Sequence, residues 1–283
     1  MVKFNSVWYI FAFQNNIKRM QKPLILVTND DGIVAPGIKA LIEVASQHGE
    51  VVVVAPDQPQ SGKGHAITLN NPLRLRKVDL FDDIIAYECT GTPVDCVKLA
   101  KNVLFKDRAI ALCVSGINHG SNASINIIYS GTMSAAMESS LEGIDSIGFS
   151  LLDFSFDADF TGAKHYADII IKQVLEKGLQ SCNLLNVNIP NVPVEEIKGI
   201  KVCKQAEGVW VEEFREAKDP RDQTYYWLTG EFVNLDKDVN TDIGWLEQNY
   251  VSVVPSGHDL TRHQALAPMS YLNIEQSNIV SHG

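Results

Sequence analysis

The chain predicts an α/β protein: a Rossmann-like, doubly wound, mostly parallel sheet with a C-terminal β-hairpin extension. Three features of the 283-residue sequence carry that expectation. Short apolar, β-branched runs recur at residues 24–28, 51–55, 109–114, 144–152 and 184–190. Helical apolar spacing fills several of the intervals between them. Beyond about residue 196 the pattern turns to strand-like alternation rich in aromatic side chains. Near-continuous apolar strands alternating with amphipathic helices indicate a parallel sheet covered on both faces.

In chain order, "LILVT" is the first strand. Pro36 behind it suits the first turn of a helix, in which Ile38, Leu41, Ile42 and Ala45 keep i, i+3, i+4, i+7 spacing. "VVVVA" is the second strand. "AITL", "LRLRK" and "IIAYEC", between residues 66 and 89, lie too close together to hold helices and predict a small antiparallel excursion. Cys96, Val97, Ala100, Val103 and Leu104 mark a further helix, as do Ala163, Tyr166, Ala167, Ile170 and Val174. A catalytic core is therefore expected over residues 22–195. Residues 196–283 are expected as a hairpin or oligomerisation region with a C-terminal helix. In that region "GVWVEEF", "QTYYWLTG" and "NYVSVVP" alternate in strand fashion, and "RHQALAPMSYL" predicts a terminal helix kinked at Pro268. Residues 1–21 read as an N-terminal extension, with Met20 a candidate start. Their apolar block, Val7 to Phe13, is too short to span a bilayer and lacks a small-residue cleavage pattern.

Composition narrows the function. With 45% hydrophobic and 20% charged residues, the chain is an ordinary globular protein. A formal charge of −10 argues against a nucleic-acid polymer as partner, because such binding needs clustered Lys and Arg. A small anionic substrate stays open, since a bound cation reverses the field locally. Five cysteines, an odd number with no C-x-x-C, read as reduced core residues of a cytoplasmic protein. No membrane partner is expected.

"LVTNDDGIVAPG" sets Asp30 beside Asp31 where the first strand runs out. Two full charges about 4 Å apart at an effective dielectric near 20 repel by roughly 4 kcal/mol. A cation would turn that repulsion into attraction, and Gly32 frees the turn to adopt angles that a side chain forbids. In a doubly wound sheet, ligands bind beyond the carboxyl ends of the strands. "NDDG", "PDQPQSGKG", "SGINHGSN" and "YSGT" all follow strands or open helices there. The side chains they deliver, Asp30, Asp31, Ser61, Asn118 and Asn122, are oxygen donors of the kind that Mg²⁺ or Mn²⁺ selects. Ser130, Gly131 and Thr132 stand at the start of a small-residue helix, whose free N–H groups favour a phosphate. The plain alternatives are a solvated turn for "NDDG" and an ordinary N-cap for Ser130. "SGKG" lacks the earlier glycine and the following Ser or Thr of a phosphate loop. His65 and His119 read as packing or hydrogen-bonding residues, and His258, Asp259 and His263 as structural.

"ILVTNDDGIVAPGIKAL", "VVAPDQPQSGKGHAITL", "GTPVDCVKLA", "VSGINHGSN", "IYSGTMSAAMES" and "NVNIPN", in that order, resemble the SurE family, survival proteins that are metal-dependent 5′- and 3′-nucleotidases. "TD" at 241–242 and "YVSVVP" also fit. The resemblance implies a Rossmann-like core, one divalent cation, hydrolysis of nucleoside monophosphates in the cytoplasm, and homodimers or homotetramers built with the C-terminal hairpins. Carried over by position, the metal ligands fall on Asp30, Asp31, Ser61 and Asn118. The phosphate-facing residues fall on Asn122, Ser130, Gly131 and Thr132. Catalysis is then expected from Asp30, Asp31 and Asn122, with Asp30 orienting or deprotonating the attacking water. The rival reading is a phospho-accepting, receiver-like signalling module with Asp57 as the further aspartate. A dinucleotide-binding reductase is disfavoured because no G-x-G-x-x-G follows the first strand.

Overall fold

The computed structural model describes residues 22–155 and 157–275. The expected extension at 1–21 lies outside them. Nine strands form one sheet, in the order β3-β4-β2-β1-β5-β6-β7-β11-β8. They are β1 (Leu24–Thr28), β2 (Glu50–Pro56), β3 (Leu75–Val78), β4 (Ile85–Cys89), β5 (Leu112–His119), β6 (Ser146–Leu151), β7 (Leu184–Ile189), β8 (Ile200–Val202) and β11 (Val251–Ser256). β4, β2, β1, β5, β6 and β7 run parallel. β3 pairs antiparallel with β4, and β11 antiparallel with β7. β9 (Gly208–Lys218) and β10 (Thr224–Asn234) form a separate antiparallel hairpin.

Burial explains the sequence pattern. β1, β6 and β7 are buried along their whole length, so both faces must be covered. On one face α1 (Pro36–His48) and α4 (Thr161–Lys177) insert Ile38, Leu41, Ala45, Ala167 and Ile171 into the core with Ile25, Val27 and Phe149. On the other, α2 (Pro93–Leu99) and α3 (Gly131–Leu141) pack Cys96, Val97 and Ala135 against Leu26, Val52 and Cys113. Burying a single such side chain contributes roughly 1.5–3 kcal/mol. The five cysteines are free, as expected, and four are buried.

Several elements depart from their sequence expectations. β5 begins later than residue 109 and runs on through Ser115, Asn118 and His119. Polar residues are kept in this strand because neighbours on both sides supply ladder partners, Thr28 for Ser115 and Ser150 for Asn118. "AITL" forms no strand; the Thr68 amide donates instead to Asp95 Oδ1 at 3.2 Å. "NYVSVVP" supplies β11, which joins the central sheet and not the hairpin. The terminal helix expected in "RHQALAPMSYL" is replaced by two 3-10 turns, His263–Ala265 and Ser270–Leu272. Pro268 between them has no N–H to continue a helical ladder.

β1 feeds β2 on one side, while β5 lies on its other side, so the strand order reverses at the β1/β5 crevice. Ligands of doubly wound sheets bind at this switch point.

Candidate active site at the carboxyl rim of the sheet

The turn after β1 carries Asp30 and Asp31. Gly32 takes φ +97° there, and Asn29 Nδ2 donates to its carbonyl at 2.9 Å. Ala35, which precedes α1, gives no side-chain cap, so Pro36 starts the helix. Asp30 is nearly fully buried. Thr132 donates its hydroxyl and its backbone amide to this carboxylate. Gly131 is required beside it, because a Cβ there would stand 2.6 Å from Asp30 Cβ. Burial first, and the charge of Asp31 second, push the Asp30 carboxyl up to about 6. Asp31 is less buried, and its Oδ2 accepts from the His119 backbone amide at 3.3 Å and lies 3.2 Å from His119 Nδ1.

One cavity of about 520 Å³ at the β1/β5 crevice brings together Asp30, Ser61, Asn118, Asn122 and Ser130. Three stretches far apart in sequence, around residues 30, 61 and 118–130, thus meet at one place. Asp31 reaches the group through His119, a lining residue, while Gly131 and Thr132 stand behind the cavity against Asp30. Ser130 is the N-cap of α3, its Oγ accepting the Met133 amide at 3.0 Å, and it lines the cavity as well. The plain capping role and the wall position coexist.

Asn122 is held from three directions. Its amide donates to Asn188 Oδ1 at 2.8 Å, its Nδ2 to Ser150 Oγ at 2.8 Å, and its carbonyl accepts from Asn186 Nδ2 at 2.8 Å. Asn188 Nδ2 closes the set on Asn186 Oδ1 at 2.9 Å. Buried polar side chains that are fully paired rigidify what they surround. The sequence signal for this lattice was the pair of asparagines interrupting the apolar strand "NVNIP". Asp242 is a second hidden anchor: fully buried, it accepts from the Ser124 and Ala206 amides at 2.8 Å each, tying the site loop to the foot of the hairpin. Trp210, Leu228 and Gly230 of the hairpin complete the cavity wall.

Other residues singled out by type take structural places. His65 pairs with Glu138 at 2.8 Å, and Asp95 in "GTPVDCVKLA" forms a capping box with Thr92. Lys63 donates to Gln60 Oε1 at 2.5 Å and does not line the cavity. Asp259 and His263 pair with each other on the surface.

The donors fit a hard divalent cation. Neither Asp30 nor Asp31 has a lysine or arginine partner among the described residues; the ion-pair partner found is His119. Asn118 gives its Nδ2 to the carbonyls of His119 and Gly120 at 3.2 and 2.8 Å, which leaves its Oδ1 as the ligating atom. No cluster of three or more His, Cys, Asp or Glu side chains forms a metal site among the described residues. An ion here would thus rely on two carboxylates completed by hydroxyl and amide oxygens, a set suited to Mg²⁺ or Mn²⁺ more than to zinc.

The family described as Survival protein SurE matches residues 25–212. The chain belongs to the SurE family. A SurE relative from Flavobacterium psychrophilum, named 5′-nucleotidase SurE, is 56% identical over 252 residues, 89% of this chain and 98% of that protein. Another of the same name, from Cytophaga hutchinsonii, is 55% identical over 89% of this chain and 97% of its own length. The crystal structure of a SurE protein from Aquifex aeolicus is 40% identical, covers 89% of this chain and 100% of that one, and superposes with a TM-score of 0.77. The receiver-like alternative finds no support, since SurE similarity runs through most of the chain and Asp57 does not line the cavity. No described helix is long and apolar enough to cross a membrane.

Proposed function

We propose that this SurE chain is a divalent-metal-dependent phosphomonoesterase that hydrolyses nucleoside monophosphates to nucleoside and inorganic phosphate. The carrying observation is the meeting of Asp30, Ser61, Asn118, Asn122 and Ser130 at one cavity at the switch point of the sheet. The 5′-nucleotidase names of its relatives support the substrate class.

Asp30, Asp31, Ser61 and Asn118 would hold one Mg²⁺ or Mn²⁺. When bound, the ion supplies Lewis-acid stabilisation of phosphoryl charge. Asp30, lodged between Thr132 and Gly131, orients the attacking water and is the acceptor for its proton. Asn122 has a second Nδ2 hydrogen beyond the one given to Ser150, and with the Gly131 amide at the open end of α3 it steadies the equatorial phosphoryl oxygens. Thr132 acts through Asp30, because its hydroxyl and amide are both directed there. The five free cysteines agree with a cytoplasmic setting. The exposed Tyr226, Trp227 and Leu228 of β10 support pairing of copies into dimers or tetramers.

Phosphate release from a panel of nucleoside monophosphates with Mg²⁺ or Mn²⁺, and again after chelation, tests the reading. Release that stops on chelation and returns with the ion is expected. Release undiminished by chelation would defeat the metal assignment, and no release from any monophosphate would defeat the nucleotidase.

A further inference from the structure

The loop after β2 stands between two cavities. Ser61 and Gly62 face the one described above, while Gln58, Gln60 and Lys63 face a second, of about 450 Å³. The opposite wall of the second cavity holds Asn71 and Arg74, just before β3, and Thr90, just after β4. In a chain with 34 acidic and 24 basic residues, no carboxylate lines it. Asp95, which touches two of its walls, accepts the Thr68 and Thr92 amides at 3.2 and 2.9 Å and stays outside. Lys63 and Arg74 have no acidic partner among the described residues. Two cations at one cavity repel as Asp30 and Asp31 do, and an anion between them turns that repulsion into attraction.

Both cations are set in place. Lys63 Nζ donates to Oε1 of the buried Gln60 at 2.5 Å, which leaves its other N–H hydrogens for a ligand. Thr90 clamps the backbone of Arg74 from both directions: its Oγ1 accepts the Arg74 amide at 3.0 Å, and its own amide donates to the Arg74 carbonyl at 3.1 Å. The root of the guanidinium is thereby fixed, and the Thr90 hydroxyl keeps its hydrogen to donate. A planar guanidinium fork beside an ammonium suits a tetrahedral oxyanion. A nucleoside finds little here, because no aromatic side chain lines the cavity and its one apolar side chain is Pro72.

We infer that Lys63 and Arg74, with Asn71 and Thr90, form a second anion site that takes free inorganic phosphate, and that phosphate bound there braces the segment carrying Ser61. The route from one cavity to the other is short. Gln60 lines the second cavity, and its amide donates to the Asp30 carbonyl at 2.7 Å, while its neighbour Ser61 lines the first. An anion that fixes Lys63 and Gln60 against Arg74 therefore restrains Ser61 from behind. The site stands apart from the nucleotidase reading above; under that reading its ligand is the reaction's own product.

The test is calorimetric titration of inorganic phosphate into the full chain stripped of metal by chelation, at constant ionic strength, and into Arg74→Gln, Lys63→Gln and Arg74→Lys. The unsubstituted protein should bind phosphate. Either glutamine variant should bind it at least about tenfold more weakly, the scale of one lost hydrogen bond to a charged group. Arg74→Lys should recover part of the loss, since it restores the charge without the fork. Melting temperatures without phosphate should match across the set, which shows that the variants fold. AMP titrated in the same way should bind no more tightly than phosphate. Hydrogen exchange should show the amides of residues 58–64 protected by phosphate in the unsubstituted protein and not in Arg74→Gln. Absence of phosphate binding, equal binding in the glutamine variants, or tighter binding of AMP would overturn the site. Unchanged exchange in the 58–64 segment would overturn the bracing of Ser61. No step reads turnover, so failure of the nucleotidase reading would leave this inference standing.

Discussion

The rim of the central sheet and the β9–β10 hairpin meet at one cavity, yet they are built on opposite terms. At the rim, Asp30, Asn122, Asn188 and Asp242 are buried polar groups, with Asn122, Asn188 and Asp242 each held by named hydrogen bonds. In the hairpin, Trp210, Phe214, Tyr226, Trp227 and Leu228 are apolar and exposed. The rim is expensive to disturb because a buried polar atom without its partner costs about 1–3 kcal/mol. The hairpin is held mainly by its own ladder, which pairs Gly208 with Asn234 at one end and Lys218 with Thr224 at the other. The difference teaches that buried hydrogen bonds fix the polar side chains of the rim, while the hairpin leaves its apolar side chains in the open.

Substitutions can break that contrast or sharpen it. The largest effect is expected at Asp31. Asp31→Asn should lower turnover by at least about a hundredfold, the upper scale for loss of a group supporting a metal ligand, with circular dichroism unchanged. Wild-type turnover in this variant would exclude the proposed ion site.

Asp30 gives the next effect, through pH. Its carboxyl sits at about 6 against an ordinary 3.8, so between those values the folded, ion-free protein keeps a proton that the unfolded chain releases. Stability should therefore fall as pH rises through this window, by at most about 3 kcal/mol, and the deficit should persist above pH 6. Melting temperatures of the ion-free protein from pH 4.5 to 7.5 should show a fall that Asp30→Asn flattens. Binding an ion requires that proton to leave, so Mn²⁺ affinity should decline about tenfold per pH unit below 6.

A smaller loss is expected at the lattice behind the site. Asn188→Ala leaves the Asn122 amide unpaired and should destabilise the protein by about 1–3 kcal/mol in urea unfolding. Turnover should drop with it, by about tenfold or more, as Asn122 loosens. A stability loss with unchanged turnover would mean that Asn122 needs no support.

The smallest effect belongs to the hairpin surface. Trp227→Ser should alter the stability of a single chain by less than about 0.5 kcal/mol. Sedimentation should nonetheless show a shift to smaller species if copies pair through this face. An unchanged assembly would place their contact elsewhere.

Much of this architecture was legible in the chain. The strands at 24–28 and 184–189 and the helix begun by Pro36 announced themselves through apolar period and a proline at the first turn. β5 was only half legible, because Ser115, Gly116 and Asn118 end its apolar run while its neighbours continue the ladder. β11 read as part of the hairpin region because a strand's sequence does not name its partner. At the site, the oxygen-bearing side chains Asp30, Ser61, Asn118, Asn122 and Ser130 could be picked out by type. The places taken by Asn186, Asn188, Asp242, Phe154 and Trp210 could not, since each depends on a contact made across many residues of chain.

Local periodicity and residue chemistry by themselves determined the alternation of strands and helices, the rim on which the loops fall, and the oxygen character of the candidate ligands. These are properties of short stretches, set by backbone geometry and side-chain type. Tertiary structure alone decided that Thr132 turns to Asp30, that an asparagine lattice grips Asn122, and that Trp210 and Leu228 of the hairpin wall the cavity. Each of these depends on which distant segments become neighbours, and packing of the whole chain settles that.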